Sequence, residues 1–186
     1  TRTAGDPRLR VPPFTAAEAP ELVAIAFCFH YVNRMVAVFL VSSPLPFGSP
    51  RLKALGRRAL APVLTGQLRR ELVAGDALSF LPDAPLPPDL AWAAPSPMIA
   101  AAFARAAASI EASGAAVLSP AVRQRVGEII ASWSGADPGL GRAWLADAVT
   151  PLAESERPVA RLALLTALAP FQVDDQAIAG FRGAAP

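Results

Sequence analysis

The chain has 186 residues, which is enough for one domain with a buried core. It is 53% hydrophobic and 17% charged, and its net charge of +2 argues against nucleic-acid binding, which needs a clustered basic surface. A single cysteine and a single histidine exclude an internal disulfide and a multi-cysteine or multi-histidine metal site in this chain. We expect no metal and no cofactor. Because residues 1–20 lack a signal-peptide pattern, we also expect a cytoplasmic location.

Helix-start and helix-stop signals divide the sequence into about seven helices. Residues 1–14 are polar, contain proline and are expected to be irregular. The capping box Thr15-Ala-Ala-Glu18 predicts a helix that continues through Pro20 to about Phe39. Serine–proline starts and glycine or proline stops predict the other helices, at about 50–75, 97–114, 120–135, 141–149, 156–169 and 174–181. No segment alternates apolar and polar residues as a strand does, so we predict a single all-α domain over residues 1–186.

The longest apolar run, Glu21 to Val41, contains the only cysteine, histidine and tyrosine of the chain. Its length would suit a membrane span, but His30, Asn33 and Arg34 stand near its middle. A central arginine costs about 2.5–3.5 kcal/mol in a bilayer even on lenient scales. The sequence therefore predicts a buried helix of a soluble oligomer and no membrane contact.

Residues three and four apart share one face of a helix, so His30, Asn33 and Arg34 form a polar patch on an apolar helix. In one interpretation they make buried hydrogen bonds, with Arg34 paired to a carboxylate from another helix or subunit. In the other they line a small-molecule pocket. Both interpretations stay open at this point. The candidate carboxylates for Arg34 are Glu71, Glu111, Glu128 and Asp147.

Cys28 precedes His30 by two residues, so on a helix their side chains diverge by about 200°. They cannot form a thiolate–imidazole pair within this helix. Reactive thiols need an exposed, electropositive setting, and we therefore expect Cys28 to be a buried structural thiol.

Several segments resemble a divergent branch of the carboxymuconolactone decarboxylase and alkylhydroperoxidase D superfamily. They include Pro20-Glu-Leu-Val-Ala-Ile-Ala and Phe29-His-Tyr-Val-Asn-Arg-Met-Val36, and further stretches at residues 89–94, 99–105, 161–168 and 172–175. The resemblance covers most of the chain. It implies a helical bundle like that of alkylhydroperoxidase D and assembly into a homo-oligomer.

In the peroxidase members of that superfamily, the corresponding helix carries a glutamate, a CxxC pair and, three residues later, a histidine. Aligning the glutamate with Glu21 places Asn33 and Val36 at the cysteine positions and Leu40 at the histidine position. The redox residues are therefore replaced in this chain. The resemblance still implies a site on this helix, with His30, Tyr31 and Arg34 as catalytic residues and Glu21, Cys28 and Asn33 as lining residues.

Proteins of this branch resemble two related helical halves in one chain, with CxxC in the first half. The first methionine here is Met35, so we hypothesise that the chain is a C-terminal half whose redox partner half lies upstream. The function implied is that of a module of an antioxidant alkylhydroperoxidase. The alternatives are a non-catalytic structural or oligomerisation half, and a non-redox ligand-binding or decarboxylase-like member.

Overall fold

The computed structural model describes residues 14–40 and 73–184, and every regular element within them is helical. The α-helices are α1 (Ala19–Phe39), α2 (Pro97–Val117), α3 (Pro120–Ser132), α4 (Ala143–Val149), α5 (Arg157–Leu168) and α6 (Asp175–Ala184). Short 3₁₀ helices occupy Asp76–Phe80, Pro88–Ala93 and Pro170–Gln172. The all-α prediction is confirmed. The helix predicted over 50–75 and the irregular segment predicted over 1–14 fall almost wholly outside the described residues.

The start signals read from the sequence act through different contacts. Ser119 caps α3, because its Oγ accepts a hydrogen bond from the amide of Val122 at 3.2 Å. The Thr15 amide donates to Glu18 Oε2 at 2.9 Å and the Glu18 amide donates to Thr15 Oγ1 at 3.3 Å, which is the reciprocal pattern of a capping box. Ser96 precedes α2 without a side-chain cap hydrogen bond. The Ser-Pro pattern therefore marks the helix start at both places but supplies a cap at only one.

The prediction that α2 ends at Gly114 is wrong. The helix continues to Val117, and the Leu118 amide still donates to the Gly114 carbonyl at 2.8 Å. An interior glycine costs roughly 1 kcal/mol relative to alanine, which a helix this rich in alanine tolerates. The following Ser119-Pro120 ends it instead, since the residue before a proline is disfavoured in the helical conformation.

The hydrophobic core lies around α5. Leu164 and Leu165 of α5 are fully buried, and α5 packs against α3, α4 and α6. The remaining buried members of this cluster are Val122, Leu145, Ala148, Val149, Leu152, Ala160 and Ala169. The core-forming helix is therefore α5, and α1 packs beside it.

The described residues by themselves do not bury α1, so its predicted burial within an oligomer stays a prediction. α1 contacts α5, α2 and the 3₁₀ helices Pro88–Ala93 and Pro170–Gln172 along one side, and only its Pro20 is buried. On that side, Phe27 meets Phe103 of α2 edge to face at 5.0 Å between ring centroids. α1 is also long and apolar enough to cross a membrane on length and composition alone, a test that core helices and signal sequences pass as well.

Candidate functional site

A cavity of about 650 Å³ opens beside the polar patch of α1. α1 supplies one wall, and the segments that follow α3 and α5 supply the others. The lining residues are Phe27, His30, Tyr31, Asn33, Arg34, Trp133, Gly135, Ala136, Asp137, Pro138, Leu168, Pro170 and Phe171. A largely apolar and aromatic lining with a few convergent polar groups is typical of small-molecule sites.

Arg34 connects α1 to the end of the core helix. Its Nε and Nη2 donate to the Ala167 carbonyl at 3.3 and 3.0 Å, and its Nη1 donates to the His30 carbonyl at 3.2 Å. Ala167 lies in the last turn of α5, where carbonyl groups lack partners within the helix and a positive charge is favourable. Arg34 therefore supplies the hydrogen bonds that the Ala167 carbonyl at the end of α5 lacks within its helix, and its side chain also lines the cavity.

Among the described residues, Arg34 pairs with none of the predicted carboxylates, Asp147 included, whereas a carboxylate from another subunit stays a prediction. Glu111 pairs with Arg123, and Glu128 lies 3.6 Å from Arg125 on its own helix. Glu71 falls outside the described part of the chain. Backbone carbonyls at the end of α5 take the place that a carboxylate was expected to fill, because Pro170 stops the helix there.

His30 and Asn33 present polar side chains to the cavity. Among the described residues, the His30 ring has an edge contact with Phe29, at 6.0 Å between centroids, and no hydrogen bond. The Asn33 side chain likewise has no hydrogen-bond partner in that part of the chain. None of the described residues therefore uses the donors and acceptors of these two side chains.

The wall opposite α1 is held by backbone and side-chain hydrogen bonds. Trp133 Nε1 donates to the Ala136 carbonyl at 2.8 Å, and the Gly139 amide donates to Asp137 Oδ1 at 3.0 Å. Gly139 has φ of +75°, a conformation that L side chains rarely adopt. Gln172, which is buried, donates from Nε2 to the Gly139 carbonyl at 2.6 Å and so ties this loop to the end of α5.

Sequence reasoning missed this second wall. The isolated turn after α3 carries no motif, and only the fold brings Trp133 and Asp137 opposite α1. A weak signal did exist for Gln172, which opens one of the segments that carry the family resemblance.

The structure places four of the six predicted site residues together and two apart. His30, Tyr31, Arg34 and Asn33 line the cavity, whereas Glu21 and Cys28 are not among its lining residues. Glu21 lies nine residues before His30, about 13 Å along the helix axis. Cys28 is exposed, so the expectation of a buried thiol is wrong, because α1 turns that side away from the core.

One curated protein offers a match over nearly all of this chain. The chain is 39% identical over 170 residues to an alkyl hydroperoxide reductase of Mycobacterium tuberculosis, and the match covers 91% of this chain and 48% of the relative. The chain thus spans about half the length of the relative that it matches. No protein-family model matches the chain, and no solved structure matches it. Over the matched residues, the similarity to an alkyl hydroperoxide reductase confirms the resemblance to the alkylhydroperoxidase D superfamily.

Proposed function

We propose that this chain is the substrate-holding part of an enzyme that reduces organic hydroperoxides. The observation that carries the proposal is the match to an alkyl hydroperoxide reductase along nearly all of the chain. The cavity beside α1 supports it, because its aromatic and aliphatic lining suits the alkyl or aryl part of such a substrate.

The reducing equivalents come from a dithiol outside these residues. The chain has one cysteine, so it cannot form a cysteine pair by itself. The overall reaction converts a hydroperoxide and two thiols into an alcohol, water and a disulfide. The thiolate sulfur attacks the terminal peroxide oxygen, the O–O bond breaks, and the alkoxide that leaves takes up a proton, which leaves a sulfenic acid. The second thiol then attacks the sulfur of the sulfenic acid, and water leaves as the disulfide forms.

His30, Asn33 and Arg34 assist this reaction from one side of the cavity. The His30 imidazole and the Asn33 amide make no hydrogen bond to the described residues, so both can orient the peroxide, and the imidazole can move a proton to the leaving oxygen. The Arg34 guanidinium carries a positive charge whose hydrogen bonds in the described residues go to neutral carbonyls. It therefore favours the thiolate and the developing alkoxide electrostatically.

The test compares single substitutions in the intact protein. Reduction of cumene hydroperoxide is followed with dithiothreitol as the reductant, for His30→Ala and Asn33→Ala. Arg161→Ala is the matched control, because Arg161 lines a separate cavity between α4, α5 and α6. We expect both pocket variants to lose at least about tenfold in kcat/KM and the control to stay within about twofold.

A second readout separates binding from turnover. Trp133 lines the cavity, so cumene hydroperoxide or its alcohol should quench its fluorescence, and Trp133→Phe should remove that signal. Pocket variants that reduce the hydroperoxide at the wild-type rate would overturn the assigned roles. Saturable quenching in a wild-type protein without peroxidase activity would overturn the reaction while retaining the pocket.

A further inference from the structure

Residues 133–142 after α3 and residues 169–174 after α5 form two walls of the cavity beside α1. The first wall contributes Trp133 to the lining and the second contributes Phe171. Two side chains that are not among the lining residues join these walls to each other. The reaction proposed above gives neither of them a role.

The buried side chain of Gln172 makes the first connection between the two walls. It is 7% exposed, and its Nε2 donates to the Gly139 carbonyl at 2.6 Å and, more weakly, to the Gly141 carbonyl at 3.5 Å. Its backbone is fixed to the end of α5, because its amide donates to the Ala169 carbonyl at 2.8 Å. The Gln172 side chain therefore sets the distance between the loop after α3 and the end of α5.

Arg142 makes a second connection in the opposite direction. Its Nη2 donates to the backbone carbonyl of Gln172, and it also donates to Asp174 Oδ2 at 2.8 Å. A side chain of each wall thus binds the backbone of the other, and we call these contacts the Gln172–Arg142 bridge. Two contacts of opposite direction fix both the separation and the orientation of the walls, which one hydrogen bond alone does not do.

Hydrogen bonds within the loop continue from the bridge to the surface of the cavity. The Gly139 carbonyl accepts from Gln172, and the Gly139 amide donates to Asp137 Oδ1 at 3.0 Å. Trp133 Nε1 donates to the Ala136 carbonyl at 2.8 Å. Asp137, Ala136 and Trp133 all line the cavity, so a displacement of Gly139 moves the wall that a ligand contacts.

The Gln172 amide contributes less to stability than its number of hydrogen bonds suggests. Its Oε1 is buried and has no hydrogen-bond partner among the described residues, and a buried acceptor in that state is unfavourable. Gly139 and Gly141 are exposed, so water can replace Gln172 at their carbonyls. Removing the amide should therefore alter the position of the loop more than the stability of the fold.

We propose that Gln172 is a positioning residue that holds the two walls together and thereby favours hydroperoxides with an aromatic organic group. The inference rests on the function proposed above. Trp133 and Phe171 are aromatic residues of the two walls, so an aromatic group packed between them loses contacts when the walls separate. The peroxide group faces His30 and Asn33 on α1, outside the bridge. Loss of the bridge should therefore weaken binding and leave turnover of the bound substrate nearly unchanged.

The test compares two hydroperoxides in the intact protein. kcat and KM are measured for cumene hydroperoxide and for tert-butyl hydroperoxide, with dithiothreitol as the reductant. We expect Gln172→Met to raise KM for cumene hydroperoxide about tenfold with little change in kcat, and KM for tert-butyl hydroperoxide by less than about threefold. Arg142→Met removes the other half of the bridge and should shift the preference in the same direction.

Two control variants separate this role from a general effect on folding. Gln124→Met makes the same chemical change at a glutamine on the surface of α3, whose Nε2 donates to Glu128 at 2.9 Å. Ser119→Ala removes the cap of α3 and so lowers stability without altering the bridge. Both should keep the wild-type ratio of the two kcat/KM values, because that ratio does not depend on the fraction of protein that is folded.

A binding measurement tests the inference without turnover. In a Trp92→Phe, Trp144→Phe background, the fluorescence of Trp133 reports the binding of cumyl alcohol, the product of cumene hydroperoxide. We expect Gln172→Met to raise its dissociation constant about tenfold and Gln124→Met to leave it unchanged. A wild type that binds this alcohol but reduces no hydroperoxide would overturn the proposed function and retain the role of Gln172.

Three results would overturn the inference. One is a Gln172→Met protein with the wild-type preference between the hydroperoxides and the wild-type affinity for cumyl alcohol. Another is a Ser119→Ala protein whose preference changes as much as that of Gln172→Met, which would make the effect one of stability. The third is a wild type that does not bind cumyl alcohol, because the bridge would then position no wall for an aromatic ligand.

Discussion

Arg34 provides the most direct test of how α1 is attached to the rest of the chain. Its guanidinium donates to the carbonyls of Ala167 and His30 through three hydrogen bonds, at 3.0 to 3.3 Å. Arg34→Met keeps an apolar stem of similar length but removes all of these donors. The Ala167 carbonyl in the last turn of α5 would then lose a charged partner.

The expected loss of stability follows from the number and quality of these bonds. A hydrogen bond to a charged group contributes about 1.5–3 kcal/mol, but here three bonds share two acceptors and the side chain is partly exposed. A positive charge at a helix C-terminus contributes about 0.3–1 kcal/mol. We therefore expect Arg34→Met to lower the free energy of unfolding by about 2 kcal/mol.

For a chain of this length that change lowers Tm by about 4–8 °C. The free energy of unfolding is measured by urea titration and Tm by scanning calorimetry. Arg34→Lys retains the charge but cannot donate two parallel hydrogen bonds to one carbonyl, so we expect it to lose only about half as much unfolding free energy as Arg34→Met. If Arg34→Met unfolds within about 0.5 kcal/mol of the wild type, the hydrogen bonds of Arg34 do not hold α1 to α5.

Three further predictions concern the caps, the core and the acid stability of the fold. Ser119→Ala should cost about 1 kcal/mol because its hydroxyl caps α3, whereas Ser96→Ala, at the same Ser-Pro position without a cap bond, should cost only a few tenths, as measured by urea titration. Leu164→Ala should cost about 3–5 kcal/mol because Leu164 is fully buried, while Leu140→Ala on the surface should change stability by less than about 0.5 kcal/mol; equal losses would contradict the placement of the core. Hydrogen bonds from Arg142 and from the Ala177 amide lower the pKa of Asp174 below its usual 3.8. The ionised carboxylate therefore stabilises the fold above that pH, and this stabilisation is lost as the pH falls through the lower folded-state pKa. The free energy of unfolding of Asp174→Asn should therefore fall less steeply than that of the wild type as the pH is lowered. The same pH dependence in both proteins would contradict this.

The sequence carried enough local information to locate the helices. Starts at 97 and 120 follow from Ser-Pro pairs, because proline is tolerated only in the first turn and serine is favoured just before it. The polar side of α1 followed from the 3.6-residue period, which brings His30, Asn33 and Arg34 together whatever surrounds the helix. The family resemblance likewise needs only the order of residues.

The sequence could not locate the partners of those residues. Arg34 was expected to meet a carboxylate, since a buried charge is usually paired, but the end of α5 offers unpaired carbonyls at that place. The second wall of the cavity, with Trp133 and Asp137, depends on how α3 and α5 end relative to α1. Such contacts join residues more than a hundred positions apart, and no local pattern encodes them.

The amino-acid sequence by itself therefore determined that this protein is all-helical, where most of its helices begin and which side of α1 is polar. These properties depend on backbone preferences and on side chains within one or two helical turns. Only the tertiary structure decided that α5 forms the core and that α1 lies at the surface. Both helices are apolar enough to be buried, and which of them is buried depends on which helix faces the other helices can cover. Among the described residues, this packing leaves one apolar side of α1 exposed and places its polar side against a cavity.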